Sequence, residues 1–268
     1  SAGTAVSVIN YISQIFTPVE SLGMEIQTIQ SAVAGVHRIN EFYRLEERRP
    51  VPPQAAPAEE TPDCVRFDHV TFAYDESGKI LDDLSFSVRE GEQVTLSGRT
   101  GAGKSTIFKL LLGLYEPQGG RVLIDGIPAA GIGDRSRRRV FGYVEQSFHM
   151  VPGTVRDQIS LFDVSISREA VEQAARMVGL NDVIAQLEQG YDTPCIPELF
   201  SQGQWQLLSI ARAVAADPRL LLLDEITASL DTQTEAQVLE ALRRSAANRT
   251  VLSISHRMGA KMGRIISI

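Results

Sequence analysis

Cysteine is scarce in this sequence: Cys64 and Cys195 stand far apart and in no metal-ligand spacing. Neither a disulfide framework nor a zinc site is indicated, and a reducing, cytosolic setting follows. An uninterrupted apolar run of about 20 residues is also missing, so nothing in the sequence spans a bilayer unaided. The first residues lack the basic and apolar regions of a signal peptide. Basic excess is absent as well, and a net charge of −7 argues against a general nucleic-acid binder. What the chain does have is 43% apolar residues over 268 positions, enough for one large domain or two smaller ones.

The segment from Gly98 to Ser105 fits G-x-x-x-x-G-K-[ST], with β-prone Gln93–Leu96 before it and helix-like Ile107–Leu112 after it. Strand, loop and helix come in the order a phosphate-holding loop requires. Gly98, Gly101 and Gly103 permit conformations closed to residues with a Cβ, so that backbone N–H groups along Gly98, Arg99, Thr100, Gly101, Ala102 and Gly103 meet phosphate oxygens. A helix starting near Gly103 adds its unpaired amides and positive dipole end. Lys104 then reaches the β- and γ-phosphates, Ser105 is placed to ligate Mg²⁺, and Thr106 to touch the α-phosphate.

Before that loop, residues 1–16 are mostly apolar and uncharged, and Thr17-Pro-Val-Glu20 reads as a capping box with proline at the first helical position. Leu22, Ile26, Ile29, Val33, Val36 and Ile39 then recur at helical spacing, predicting an amphipathic helix to about Arg48. The proline-rich residues 50–62 form a linker, and the domain boundary falls there. Strands are expected over Val65–Tyr74, Ile80–Val88 and Arg121–Asp125. Tyr74 either stacks on a purine ring or packs on its own sheet. The cluster Arg135–Arg139 reads as a solvated face, followed by a strand over Val140–Gln146 that closes in two polar residues. Residues 167–189 read as helical with Gly179 near a stop, and a second helix begins around Ser201. Arg219–Glu225 is an apolar run ending in two carboxylates, as a strand buried on both faces would be. A helix over Thr232–Ala246 and a strand over Thr250–Ser255 complete the alternation of a mainly parallel sheet, whose ligands gather at the carboxyl ends of strands.

Gln146, Asp224, Glu225 and His256 each follow a β-prone run, which places them on the rim with the phosphate loop. Asp224 is expected to hold Mg²⁺ and its waters, the Walker B role. Glu225 is positioned to orient and deprotonate an attacking water, and His256 to contact the γ-phosphate.

Together these motifs resemble the nucleotide-binding domains of ATP-binding cassette (ABC) transporters over residues 64–268, with Phe200-Ser-Gln-Gly-Gln204 similar to the family's signature sequence. The resemblance implies a RecA-like α/β P-loop core with an antiparallel β subdomain and a helical subdomain over about residues 147–205. It makes Tyr74 the adenine-stacking aromatic, Gln146 the Q-loop glutamine and a contributor to the Mg²⁺ site, Ser229-Leu230-Asp231 the D-loop, and His256 the switch histidine. Ser201, Gly203 and Gln204 would meet the nucleotide held by a second such domain in a head-to-tail dimer enclosing ATP. Residues 1–49 look like the end of an exporter's last membrane helix and its cytosolic extension, continuous through Pro18 with at most a kink. Residues 50–63 are then the linker, and residues 64–268 an ATPase domain lacking the family's last strand and helices. The implied partners are a second nucleotide-binding domain, the transporter's transmembrane domains and, through the N-terminal helix, the membrane, at its cytoplasmic face. No nucleic acid is implied. The rivals are a soluble ABC-type ATPase acting on nucleic acid or ribosomes, and a regulatory module that binds ATP without turnover. Three departures stand out: Gln202 replaces the commonest glycine of the signature, Trp205 stands where a basic residue is usual, and Glu198 is the nearest equivalent of a shortened preceding motif.

Overall fold

Four consecutive leucines fix an interior strand of the larger sheet. In the computed structural model, which describes residues 2–44, 63–75, 78–99, 101–145, 147–226, 230–255 and 262–268, they form β7 (Leu220–Asp224). All four are at most 3% exposed. Alternation along a strand sends Leu220 and Leu222 into one core and Leu221 and Leu223 into the other. Each burial stabilises the fold by about 1.5–3 kcal/mol.

The chain divides into two compact units, Ser1–Arg49 and Pro50–Ile268. The first contains one helix, α1 (Ala2–Arg44), unbroken through Pro18. The capping-box start at Thr17 is thereby corrected: proline removes one amide donor from the ladder without ending a helix that continues for turns on both sides. Nor is the apolar character confined to one stripe. Leu22, Ile26 and Ile29 are exposed, and so are Met24 and Phe42, which helical geometry places on the opposite side. Among the described residues, no helix is long and apolar enough to cross a membrane. The linker over residues 50–62 lies outside the described residues.

The second unit holds two sheets. β1 (Asp63–Phe72), β2 (Leu81–Arg89), β4 (Gly119–Ile124) and the short β5 (Ile127–Pro128) form an antiparallel sheet in the order β2-β1-β4-β5. β3 (Gln93–Ser97), β6 (Phe141–Val144), β7, β8 (Thr250–Ile254) and β9 (Arg264–Ser267) form the parallel sheet, in the order β6-β7-β8-β3-β9. The edge strand β9, paired with β3, is absent from the sequence reading, which leaves the residues after His256 without a strand. Three of its four side chains are exposed, so no burial pattern marks it.

Helices connect the parallel strands. α2 (Lys104–Leu111) follows β3, α3 (Asp134–Val140) precedes β6, α7 (Gln202–Val214) precedes β7 and α8 (Thr232–Ala246) precedes β8. Between β6 and α7 lies a helical insertion of α4 (Val155–Ser160), α5 (Arg168–Met177) and α6 (Asn181–Ala185), close to the helical subdomain expected there. The single helical stretch read over residues 167–189 is in fact two, because Gly179 takes a left-handed φ of 78° that ends α5.

The basic cluster also needs correction, since two of its arginines face inward. Arg137 donates to the carbonyl of Leu112, while Arg138 donates to the carbonyls of Ser160, Ile159 and Arg212. Carbonyls left over at helix ends recruit these cations, a demand that local charge density does not reveal.

Candidate functional site

The carboxyl ends of β3, β6, β7 and β8 share one rim because the four strands run parallel. The phosphate-type loop leaves β3 there. Gly98 is glycine for want of space, since a Cβ at that position would sit 2.6 Å from the Ile268 carbonyl oxygen. At Gly103 the φ is 88°, and a Cβ would meet a Leu81 methyl at 2.6 Å. Gly103 is also the N-cap of α2, so the helix begins without a side-chain cap and its first amides face the loop.

Lys104 is 5% exposed, and its Nζ donates to the carbonyls of Gly98 at 3.0 Å and Arg99 at 2.8 Å. Arg99, Gly101 and Ala102 complete the described part of the loop, and the Ala102 amide closes a turn onto the Arg99 carbonyl. Thr100 lies outside the described residues. Ser105 is exposed and Thr106 buried. The Tyr74 hydroxyl and Thr106 Oγ1 are hydrogen bonded at 3.1 Å, and the Tyr74 ring sits edge-on to Phe72 and Tyr115 with the Lys109 ammonium over it. Tyr74 lies beyond the end of β1, half-exposed. A cavity of about 220 Å³ is lined by Tyr74, Ile80, Gly101, Gly103, Lys104, Ser105, Thr106 and Glu225. The tyrosine, the loop and the second strand-end carboxylate therefore do meet.

Asp224 ends β7 and Glu225 follows it with a φ of 45°, a left-handed conformation that costs a non-glycine residue about 1–3 kcal/mol. The Glu225 amide donates to the Ile254 carbonyl at 3.1 Å, which ties this turn to the end of β8. Burial pushes the Asp224 carboxyl above its usual range, and the charges of Glu225 and Glu145 add to that. A hydrogen bond from Tyr143 and the charge of Lys104 oppose it. A desolvated carboxylate among like charges is a place for a cation. No group of three or more His, Cys, Asp or Glu among the described residues is arranged to hold a metal. Two oxygen donors, the Ser105 hydroxyl and the Asp224 carboxylate, are the hard ligand type that suits Mg²⁺, which takes few protein ligands and completes its shell with phosphates and water. Gln146 and His256 lie outside the described residues, as does Ser229.

The second constellation sits at the start of α7. Ser201 and Gln204 form a reciprocal capping box: the Ser201 amide donates to Gln204 Oε1 at 2.9 Å, and the Gln204 amide donates to the Ser201 hydroxyl. Gly203 has a packing reason of its own, because a Cβ there would overlap a methyl of Thr234 on α8 at 2.1 Å. Asp231 caps α8, accepting from the amides of Gln233 and Thr234 at 3.1 Å each. A hydrogen bond with the Thr234 side chain first, and then those from the Thr234 and Gln233 amides, hold its carboxyl below the usual range.

Residues 81–228 match the family model described as ABC transporter. The chain belongs to the ABC transporter family. Over 261 residues it is 38% identical to the putative ABC transporter ATP-binding protein exp8 of Streptococcus pneumoniae, covering 96% of this chain and 44% of that one. It is likewise 38% identical over 264 residues to the ATM1-type heavy metal exporter of Novosphingobium aromaticivorans, covering 96% and 43%. Among solved structures, a bacterial Atm1-family ABC exporter with ATP bound superposes with a TM-score of 0.70 at 36% identity, covering 97% of this chain and 46% of that one. The chain thus spans less than half the length of the curated relatives it matches. The α/β P-loop fold expected from the motifs is that of the family.

Sequence reading misses several polar residues that tie the elements of this ABC domain together around and behind the site. Tyr143, read only as part of a strand, donates its hydroxyl to Asp224 Oδ2 at 3.3 Å. Gln206, 5% exposed, donates from Nε2 to the Ile226 carbonyl at 3.0 Å and the Glu145 carbonyl at 3.5 Å. Arg212 donates to the carbonyls of Gln158 at 2.6 Å and His149 at 2.8 Å, with its guanidinium 4.1 Å from the centre of the Phe148 ring. A polar side chain at a helix position whose neighbours are Leu207 and Leu208 is the one available signal, and it applies to Gln206 alone.

Proposed function

We propose that this ABC domain binds and hydrolyses ATP, and that the hydrolysis drives export across a membrane by the longer transporter polypeptide of which such chains are part. The observation that carries the reading is the cavity that Lys104, Ser105 and Thr106 share with both Tyr74 and Glu225. Those are the groups a nucleoside triphosphate needs: an aromatic face for the base, main-chain amides for the phosphates and a carboxylate to act on the attacking water.

Lys104 exchanges its carbonyl partners for β- and γ-phosphate oxygens and stabilises the charge that builds there in the transition state. Glu225 accepts a proton from the attacking water as its oxygen bonds to the γ-phosphorus. The bond to the bridging oxygen breaks, and ADP leaves with the electron pair. Ser105 and Asp224 are the described residues that would hold Mg²⁺, which when bound would neutralise phosphate charge. Gln146 and His256 complete the set by family resemblance.

The cavity's 220 Å³ is below the ~300–1,000 Å³ usual for a site that encloses its ligand. A small, partly open site suits a head-to-tail dimer, in which Ser201, Gly203 and Gln204 of a second copy or a homologous subunit close over the γ-phosphate while Asp231 lies along the junction. Residues 1–49 are read as the cytosolic end of a membrane helix, residues 50–63 as its linker, and the domain as lying at the cytoplasmic face of the membrane.

The decisive experiment is Glu225→Gln. ATP binding is retained and steady-state turnover falls by about 10²–10⁴-fold. Turnover equal to that of the unmodified protein would remove Glu225 from the chemistry and the reading with it.

A further inference from the structure

Tyr143 touches the site only through Asp224 and has no part in the scheme above. Parallel pairing sets Tyr143 opposite Leu222, so that Tyr143, Leu222 and Asp224 share one sheet face. That face packs against α2, where Phe108 meets the Tyr143 ring edge-on with centroids 6.1 Å apart. Phe108 is 1% exposed and lies four residues after Lys104 on the same helix. The ring is thus held between the phosphate-loop helix and the sheet, and its hydroxyl reaches Asp224 Oδ2 at 3.3 Å. A tyrosine has two rotatable side-chain bonds, and packing of the ring settles both.

We propose that Tyr143 is a positioning residue for Asp224: its hydroxyl pins one carboxylate oxygen so that the other is presented to a divalent cation beside the phosphate loop. This rests on the ATP-binding reading above. Asp224 has Glu225 and Glu145 as acidic neighbours, and repulsion from both would otherwise turn its carboxylate. A neutral donor fixes the orientation without competing for the cation, as a lysine or arginine at the same place would. At 3.3 Å the bond is longer than the usual O–H···O contact, which sets its effect below that of a well-formed bond to a charged group.

The test is Tyr143→Phe in the full chain, with Mn²⁺ as the spectroscopic stand-in for Mg²⁺. ATP affinity in EDTA is expected to stay within about twofold of the parent, while the Mn²⁺ midpoint for the ATP-bound protein, read by electron paramagnetic resonance, rises by about three- to tenfold. In an Asp224→Asn background the same substitution is expected to leave the midpoint unchanged. Equal weakening with and without metal, or an equal shift in the Asp224→Asn background, would place the hydroxyl's effect elsewhere and overturn the inference. If the parent binds ATP in EDTA but gains nothing from Mn²⁺, the metal site is wrong and the inference falls with it. If the parent binds no ATP at all, it is the nucleotide reading that fails.

Discussion

The side-chain amide of Gln206 lies 3.0 Å from the main-chain oxygen of Ile226, at a position shielded from water. One side chain on α7 therefore joins the helix that carries Ser201 to the turn that carries Glu225. Through its second contact, with the Glu145 carbonyl, it also reaches the end of β6.

Replacing Gln206 with leucine keeps the volume and takes a donor away from buried carbonyls. A loss of about 1–3 kcal/mol in unfolding free energy is expected. Urea titration measures it, and a change under about 0.5 kcal/mol, the size of an ordinary surface substitution, would mean that the contact does not hold the elements together.

Gly101 and Gly103 have nearly the same φ, 85° and 88°, but different surroundings. A Cβ at Gly101 meets nothing within 4 Å, whereas one at Gly103 runs into Leu81 and the Ile80 carbonyl. Gly101→Ala should cost only the left-handed strain, about 1–2 kcal/mol. Gly103→Ala should cost more, because the buried Leu81 side chain and Ile80 must also give way. Equal melting temperatures for the two variants would contradict this.

Burial, with the Asp125 charge adding to it, pushes the Cys64 thiol up to about 11, and burial also raises the Cys195 thiol. The thiolate is the reactive form and is disfavoured in both, so at pH 8.5 native protein should resist iodoacetamide for hours. The same reagent should modify both residues in denaturant, where each thiol returns to about 8.5. For Cys64 the sign follows directly: a raised native value stores stability that begins to be lost only as the pH climbs above the unfolded value, so neutral solutions leave it untouched. Mass spectrometry of intact protein reads the outcome, and fast labelling of native Cys64 would place it at the surface.

Much of the architecture was legible because it follows from period and punctuation. The leucine run of β7 lies in the sheet as expected, and α8 runs from Thr232 to Ala246 as read from its pattern. Lys104 and Glu225 come to one cavity because parallel strands deliver their carboxyl ends to one side, and Tyr74 joins them from just beyond β1 of the antiparallel sheet. What stayed hidden depends on partners distant in sequence. Arg138 looks like surface charge until α4 and α7 bring their carbonyls to it, and β9 has no alternation because one neighbour, β3, supplies its pairing. Tyr143 is indistinguishable from any strand aromatic until Asp224 is placed beside it.

Glutamate at position 225 adopts a backbone twist that only glycine accepts freely. The molecule therefore keeps tension at its reactive corner that a softer residue would release, and the Ile254 carbonyl and the strand beneath must hold it taut. A variant selected only for heat resistance would drift toward glycine here and fall silent, whereas glutamine inherits the same twist. Position 225 is thus where durability and work pull in opposite directions.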